Sequence, residues 1–206
     1  MAGLDLIVGL GNPGAEYLRS RHNAGFRFAD TLADGGGQRF AFDGKLHGEV
    51  CRPGIDGRTV WLLKPATFMN KSGTAVAAAL RYYRIEPDRC LVVHDDLDLP
   101  PGTARMKFDG GHGGNNGLRD IMAQLGHGRF HRLRLGIGHP ADRSRVIDWV
   151  LGKPAAADED AITEAIVRAL HVLPLAVAGQ FDKAMQQLHT TGTGDGAHAE
   201  RPKPLP

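Results

Sequence analysis

Short apolar runs alternate with helix-periodic segments along this chain, and that alternation constrains its fold more than any other feature. "LDLIVGL" (Leu4–Leu10) reads as a buried strand ended by glycines, and "RCLVVHDD" as a core strand ending in acids. "HGEVCRPGIDGRTVWLLKP" reads as a hairpin turning at "GIDG", with "GGGQRF" a loop before it. "GTARMKF" and "FHRLRLGIG" complete the strand-like set. Between them, Phe26, Ala29, Leu32 and Ala33 keep helical spacing, predicting a helix from about Asn23 to Asp34. Ser72 is placed to cap a second helix whose apolar face carries Val76, Ala79, Leu80 and Tyr83. "NNGLRDIMAQLG", "DRSRVIDWVL" and a long segment carrying Ile162, Ile166, Leu170 and Leu173 follow as helices, with Pro174 expected to kink or interrupt the last. Strands alternating with helices, with one hairpin inside, predict a single three-layer α/β domain: a mixed, mostly parallel central sheet flanked by helices.

Size agrees with one domain. A chain of 206 residues, 42% hydrophobic, buries roughly 70% of its unfolded surface in one core. The domain is expected over residues 1–190. The Gly- and Pro-rich stretch 191–206, "TGTGDGAHAERPKPLP", has almost nothing to bury and is expected to be disordered. No apolar run approaches the ~20 residues of a membrane helix, and "MAGLDLIVGL" lacks the basic start of a signal peptide, so a cytoplasmic location without membrane partners is expected. Cys51 and Cys90 lie in strand-like segments without metal-type spacing and read as buried thiols. A net charge of +2 does not by itself indicate a nucleic-acid partner; the placement of the basic residues must do that.

Gly9, Gly11 and Gly14 match G-x-G-x-x-G, the dinucleotide fingerprint, directly after a strand. The fingerprint also needs a helix at its third glycine and an acid at a strand end about 20 residues on. "AEYLRSRHNAG" has no helix-packing pattern, Asp30 falls inside a helical repeat, and Pro13 removes an N–H from the loop. The glycines read better as a turn that brings backbone and Asn12 close to a substrate, and a nucleotide-dependent oxidoreductase is the disfavoured enzyme reading.

Three polar clusters follow strand-like segments: "GNPG", "MN" and "HDDLD". In an α/β sheet such strand ends face one crevice. Singly, His22 also reads as a helix-start histidine, Asp95 as a capping acid and Asn70 as a turn former. Together they supply a base, a carboxylate to orient it and amide donors for an oxyanion, with no evident protein nucleophile. "DDLD" before "GGHGG" invites a metal reading, but Asp95, Asp96 and Asp98 would alternate in direction, so no metal and no cofactor are expected.

These residues resemble the bacterial-type peptidyl-tRNA hydrolases. The resemblance is carried by "IVGLGNPGAEYLRSRHNAGF", "LLKPATFMNKSG", "VVHDDLDLPPGTARMKFDGGHGGNNGLRDI", "FHRLRLGIGHP" and "VLGKP", in the family's order from about Leu6 to Pro154. It implies hydrolysis of the ester between peptide and tRNA, with His22 as base, Asp95 as its partner and Asn12 as amide donor to the developing oxyanion. It further implies that Asn70 and Asn116 hold the peptide backbone and terminal adenosine, that Met69 is an apolar wall, and that Tyr17 lies near the 3′ end of the tRNA. Lys107 and Arg134 would take the 5′-phosphate, Arg105 and Arg132 being strand-face neighbours able to reinforce them and Arg143 and Arg145 the alternative holders. A monomer with peptidyl-tRNA as partner is implied. The chain departs from the family's "GGHGGHNG" version at Asn115, where that version has histidine. An inactive RNA-binding relative of the same fold is the non-enzyme alternative.

Overall fold

A computed structural model describes residues 2–190; the expectation for 191–206 lies outside the described residues. The chain runs β1 (Leu6–Gly9), α1 (Ala24–Gly35), β2 (Ala41–Asp43), β3 (Gly48–Cys51), β4 (Gly54–Ile55), β5 (Arg58–Thr59), β6 (Trp61–Pro65) and α2 (Ser72–Tyr83). It continues with β7 (Cys90–Asp96), β8 (Ala104–Phe108), α3 (Asn116–Leu125), β9 (His131–Gly136), α4 (Val146–Leu151), α5 (Ala156–Val177) and α6 (Phe181–Thr190). Seven strands form one sheet in the order β2-β3-β6-β1-β7-β9-β8, and β4-β5 is a separate small hairpin. The four central strands β6, β1, β7 and β9 are parallel; β3 pairs antiparallel with β6, and β8 with β9.

The expected three layers are present. Alternate side chains of the apolar strands pack on opposite faces. Ile7, Leu62, Leu91, Val93, Met106 and Leu133 meet α1, α5 and α6 in one core; Leu6, Val8, Leu63, Cys90 and Val92 meet α2 and α3 in the other. The crossover from β1 to β6 carries α1 on the first face, and that from β6 to β7 carries α2 on the second, so the chain winds both ways from β1. Such a switch point opens a crevice beyond the C-terminal ends of the central strands.

Several local expectations are corrected. Ser72 is the first helical residue rather than the cap; its hydroxyl donates to the Met69 carbonyl (2.8 Å), in the tight turn Met69–Lys71 that precedes the helix. α5 runs through Pro174 to Val177, so the proline does not interrupt it; the break falls at Gly179, which has φ +81°. β2 lies just beyond the expected loop, held as the margin of the sheet by pairing with β3. Cys51 and Cys90 are buried and unbonded to each other, and burial raises both thiol pKa values.

Candidate active site

The segment between β1 and α1 folds back over the strand ends through two 3-10 turns, Ala15–Tyr17 and Arg21–Asn23. Only a single 3-10 turn follows Gly14, not the α-helix that a dinucleotide site would require; φ there is +115°, a conformation that favours glycine. Asp30 accepts a hydrogen bond from Lys64 Nζ (2.7 Å) on the helix and stands at no strand end. Gly25 has a different reason. A Cβ there would collide with the Val93 carbonyl and the backbone of Leu10, so only glycine lets the start of α1 sit directly on the ends of β1 and β7. That close approach carries His22 over Asp95.

His22 and Asp95 are both buried, and Nδ1 of the ring lies 2.9 and 2.8 Å from the two carboxylate oxygens. The carboxylate accepts the Nδ1 proton, which leaves the Nε2 lone pair for the crevice. Burial by itself would lower the His22 pKa, but the charge of Asp95 and its hydrogen bond outweigh burial and raise it above the ordinary imidazole value. Asp95 also accepts from Asn115 Nδ2 (3.1 Å).

Asn12 is buried and held from three sides. Its N–H donates to Asn23 Oδ1 (2.8 Å), its carbonyl accepts from Asn23 Nδ2 (2.9 Å), and its Oδ1 accepts from the Met69 N–H (2.7 Å). A backbone N–H can only donate, so Oδ1 is the atom facing Met69, and Nδ2 is left as a donor without a partner among the described residues. Asn12, His22, Met69, Asn70 and Asn116 line one cavity of about 230 Å³, together with Phe68 and the α4 residues Ile147, Val150 and Leu151. A smaller adjoining cavity of about 90 Å³ is lined by His22, His94, Asp95, His112, Asn115 and Asn116, again beneath Ile147 and Val150. Among the described residues, no serine, threonine, cysteine or lysine lines either cavity. A wider hollow of about 720 Å³ between α5 and α6 holds none of these groups.

The three polar clusters therefore converge as expected. Met69 is almost wholly buried in the α2–α3 core, so it forms the floor of the cavity as well as a wall, and its N–H orients Asn12. Tyr17 stands at the rim, edge-on to the exposed ring of Phe68 with centroids 6.4 Å apart. The three acids diverge: Asp95 faces His22, Asp96 faces Arg134 Nε (2.7 Å) and Asp98 faces His139 (3.0 Å).

The basic strand residues divide. Register pairs Arg105 with Arg134 and Lys107 with Arg132, so all four leave the same sheet face. Arg132 is buried and donates to the carbonyls of Gly110 and Gly111; it anchors the "DGGHGG" loop and is not a surface partner for Arg134. Arg105 turns round the sheet edge to the His189 carbonyl (3.2 Å). Lys107 has no carboxylate within salt-bridge distance among the described residues, and Arg134 is its diagonal neighbour.

Sequence reasoning missed four contributors. Asn23 braces Asn12. Arg21, buried beside His22, donates to the carbonyls of Trp149 (3.2 Å) and Lys153 (3.0 Å), and its guanidinium lies 3.6 Å over the Trp149 ring, which ties α4 to the base-bearing turn. Ile147 and Val150 of α4 then roof both cavities, although Ile147 remains 71% exposed. "RHN" and "VIDWV" carried no signal for these contacts, which join residues more than 120 positions apart.

A carboxylate-held imidazole and an unpaired amide donor facing one cavity are equipped to add water to a carbonyl carbon. The fold and the site thus define a hydrolase-type α/β protein. Comparison with known proteins narrows this. Residues 6–195 match the family described as Peptidyl-tRNA hydrolase. A peptidyl-tRNA hydrolase of Stenotrophomonas maltophilia is 62% identical over 190 residues, spanning 92% of this chain and 99% of the relative. One of Xanthomonas campestris pv. campestris is 60% identical, spanning 92% and 98%. The crystal structure of peptidyl-tRNA hydrolase from Acinetobacter baumannii superposes with a TM-score of 0.89 at 48% identity, covering 92% of this chain and 96% of that one. The chain belongs to the peptidyl-tRNA hydrolase family.

Proposed function

We propose that the protein hydrolyses the ester joining a peptide to the terminal ribose of tRNA, releasing free tRNA and peptide for recycling in translation. The observation that carries the reading is the convergence of the His22–Asp95 pair and the unpaired Asn12 amide on one cavity. Water gives a proton to His22 Nε2 and attacks the ester carbonyl carbon. The oxyanion is stabilised by Asn12 Nδ2, a contribution of about 3 kcal/mol for one such donor. Collapse breaks the carbon–ribose-oxygen bond, and the departing oxygen takes the proton back from His22, now the general acid. An ester is activated enough for water, base and oxyanion donor to suffice, without a covalent intermediate or a metal.

Asn70, Asn116 and Met69 hold the peptide backbone and terminal adenosine, and Tyr17 meets the 3′ end of the tRNA. Lys107 and Arg134 take the 5′-phosphate, which gives affinity without reading sequence and suits an enzyme serving many tRNAs. The domain of residues 1–190 acts as a monomer in the cytoplasm. Among the described residues, no helix is long and apolar enough to cross a membrane.

The test is release of free tRNA from N-blocked aminoacyl-tRNA, in chelator with the tRNA kept folded by monovalent salt. The wild type turns over, and His22→Ala loses about 10²–10⁴-fold, the usual worth of a general base. Binding without release by the wild type would identify an inactive RNA-binding relative.

A further inference from the structure

Asn115 is the position at which this chain departs from the histidine of the related motif, and it makes two contacts at once. As N-cap of α3, its Oδ1 accepts from the Leu118 N–H (3.0 Å). Its Nδ2 lies 3.1 Å from Asp95 Oδ1, the carboxylate that holds His22. The amide's orientation follows from chemistry: the Leu118 N–H can only donate, so oxygen must face it, and nitrogen is left for the carboxylate. The side chain is fixed further by its own backbone, with its N–H bonded to the His112 carbonyl (3.0 Å) and its carbonyl accepting from Arg119 (3.0 Å).

We propose that Asn115 is a positioning residue for the hydrolytic reaction, which holds the Asp95 carboxylate through Oδ1 and so fixes the aim of the imidazole. The proposal rests on the reading of His22 and Asp95 as base and orienter. Asp95 is 3% exposed, and water has little access to complete its hydrogen bonding; the amide of Asn115 supplies a donor that water would otherwise provide. Asparagine suits the two tasks because one side is always an acceptor and the other always a donor. A neutral imidazole could also cap with one nitrogen and donate with the other. Once protonated it would lose the cap acceptor and bring a positive charge to Asp95, in competition with His22. The amide therefore keeps the Asp95 clamp independent of pH.

Asn115→Ser separates the two contacts. Serine is as good an N-cap as asparagine, so α3 keeps its start, but its hydroxyl is too short to reach Asp95 while capping. The expected result is a thermal midpoint close to wild type, unchanged KM and kcat lower by about tenfold, the rate equivalent of one hydrogen bond to a charged group. The acid limb of the kcat profile should move to higher pH, because an Asp95 relieved of the amide's partial positive charge holds the His22 proton more tightly. Asn115→Asp keeps the cap and adds a negative charge beside the pair, so its acid limb should move further in the same direction. Wild-type kcat with an unmoved acid limb in Asn115→Ser would overturn the proposal, as would a limb displaced to lower pH. Asp95→Asn measured alongside keeps the two readings apart: if it retains wild-type turnover, the base pair itself is wrong; if it is inactive while Asn115→Ser is unchanged, only the role of Asn115 fails.

Discussion

Replacing Asp95 by asparagine puts the base pair under the sharpest test, because the surroundings dictate which way the new amide must lie. Asn115 Nδ2 donates to Asp95 Oδ1, so the carbonyl oxygen of the substituted amide must stay on that side. Its NH₂ group then takes the Oδ2 position, 2.8 Å from His22 Nδ1. A donor there competes with the carbonyl oxygen at the Oδ1 position, still 2.9 Å from Nδ1, and favours the Nδ1 lone pair inward with the imidazole proton on Nε2, facing the crevice. In that tautomer the ring cannot accept a proton from water. The charge that raises the His22 pKa is lost as well, and burial, the opposing influence, is left unbalanced. Both changes act against the base, and in a His–Asp pair of this geometry the wrong tautomer costs on the order of 10⁴ in kcat. Single-turnover release of free tRNA, followed from pH 5 to 9, reads both effects. In the wild type, the acid limb should lie above the ordinary imidazole value, since His22 must be neutral to act and its pKa is raised. In Asp95→Asn, the residual rate should fall to about 10⁻⁴ of wild type, with its acid limb displaced to lower pH. A variant retaining a tenth or more of the rate, or one whose limb stays in place, would refute the assignment of Asp95.

Lys107→Ala and Arg134→Ala should each raise KM for full-length peptidyl-tRNA and reduce the salt slope by about one unit per lost phosphate contact. A blocked aminoacyl ester on a short 3′ fragment should be hydrolysed as by wild type; equal losses on both substrates would place these residues in support of the site instead. Gly25→Ala should destabilise the fold by about 1–3 kcal/mol or more and abolish activity, since a Cβ on Gly25 meets the backbone of Leu10, just past β1, and of Val93 in β7; a wild-type denaturant midpoint would contradict this. His131, buried and stacked 3.7 Å from the Phe181 ring, has its pKa lowered to about 4, chiefly by desolvation. The folded chain thus binds fewer protons than the unfolded one between pH 6.5 and 4, so stability falls as pH drops through that window, by roughly 2 kcal/mol for this group. Urea titrations of wild type and His131→Phe at pH 7 and 4.5 check it, and equal acid losses in both would clear His131 of the effect.

Much of the site was legible in the sequence because its parts sit immediately after apolar strands. The C-terminal end of a core parallel strand in an α/β sheet faces the crevice, so "GNPG" after β1, "MN" after β6 and "HDD" on β7 are assigned to one crevice by their place in the sequence. The three-layer fold was equally legible, since fully apolar strands need cover on both faces. Local chemistry misled where tertiary contact overrode it. Ser72 has the chemistry of a cap but stands one residue inside its helix, and α5 continues through Pro174 as far as Val177.

What only the tertiary structure decided is which groups are free and which are spent. The strand period puts Arg105 and Lys107 on one side of their strand and Arg132 and Arg134 on one side of theirs, without distinguishing the members of either pair. Folding commits Arg132 to the Gly110 and Gly111 carbonyls, Arg105 to the His189 carbonyl and Arg134 Nε to Asp96, while Lys107 has no carboxylate within salt-bridge distance among the described residues. The same holds for the amides: Asn12 is a free donor because Met69 occupies its oxygen, and Asn115 is a clamp because Leu118 occupies its own. A sequence states which donors and acceptors exist and which strand end they follow. Whether a given one is already satisfied depends on partners brought from distant parts of the chain, and in a buried site that satisfaction decides what remains available for chemistry.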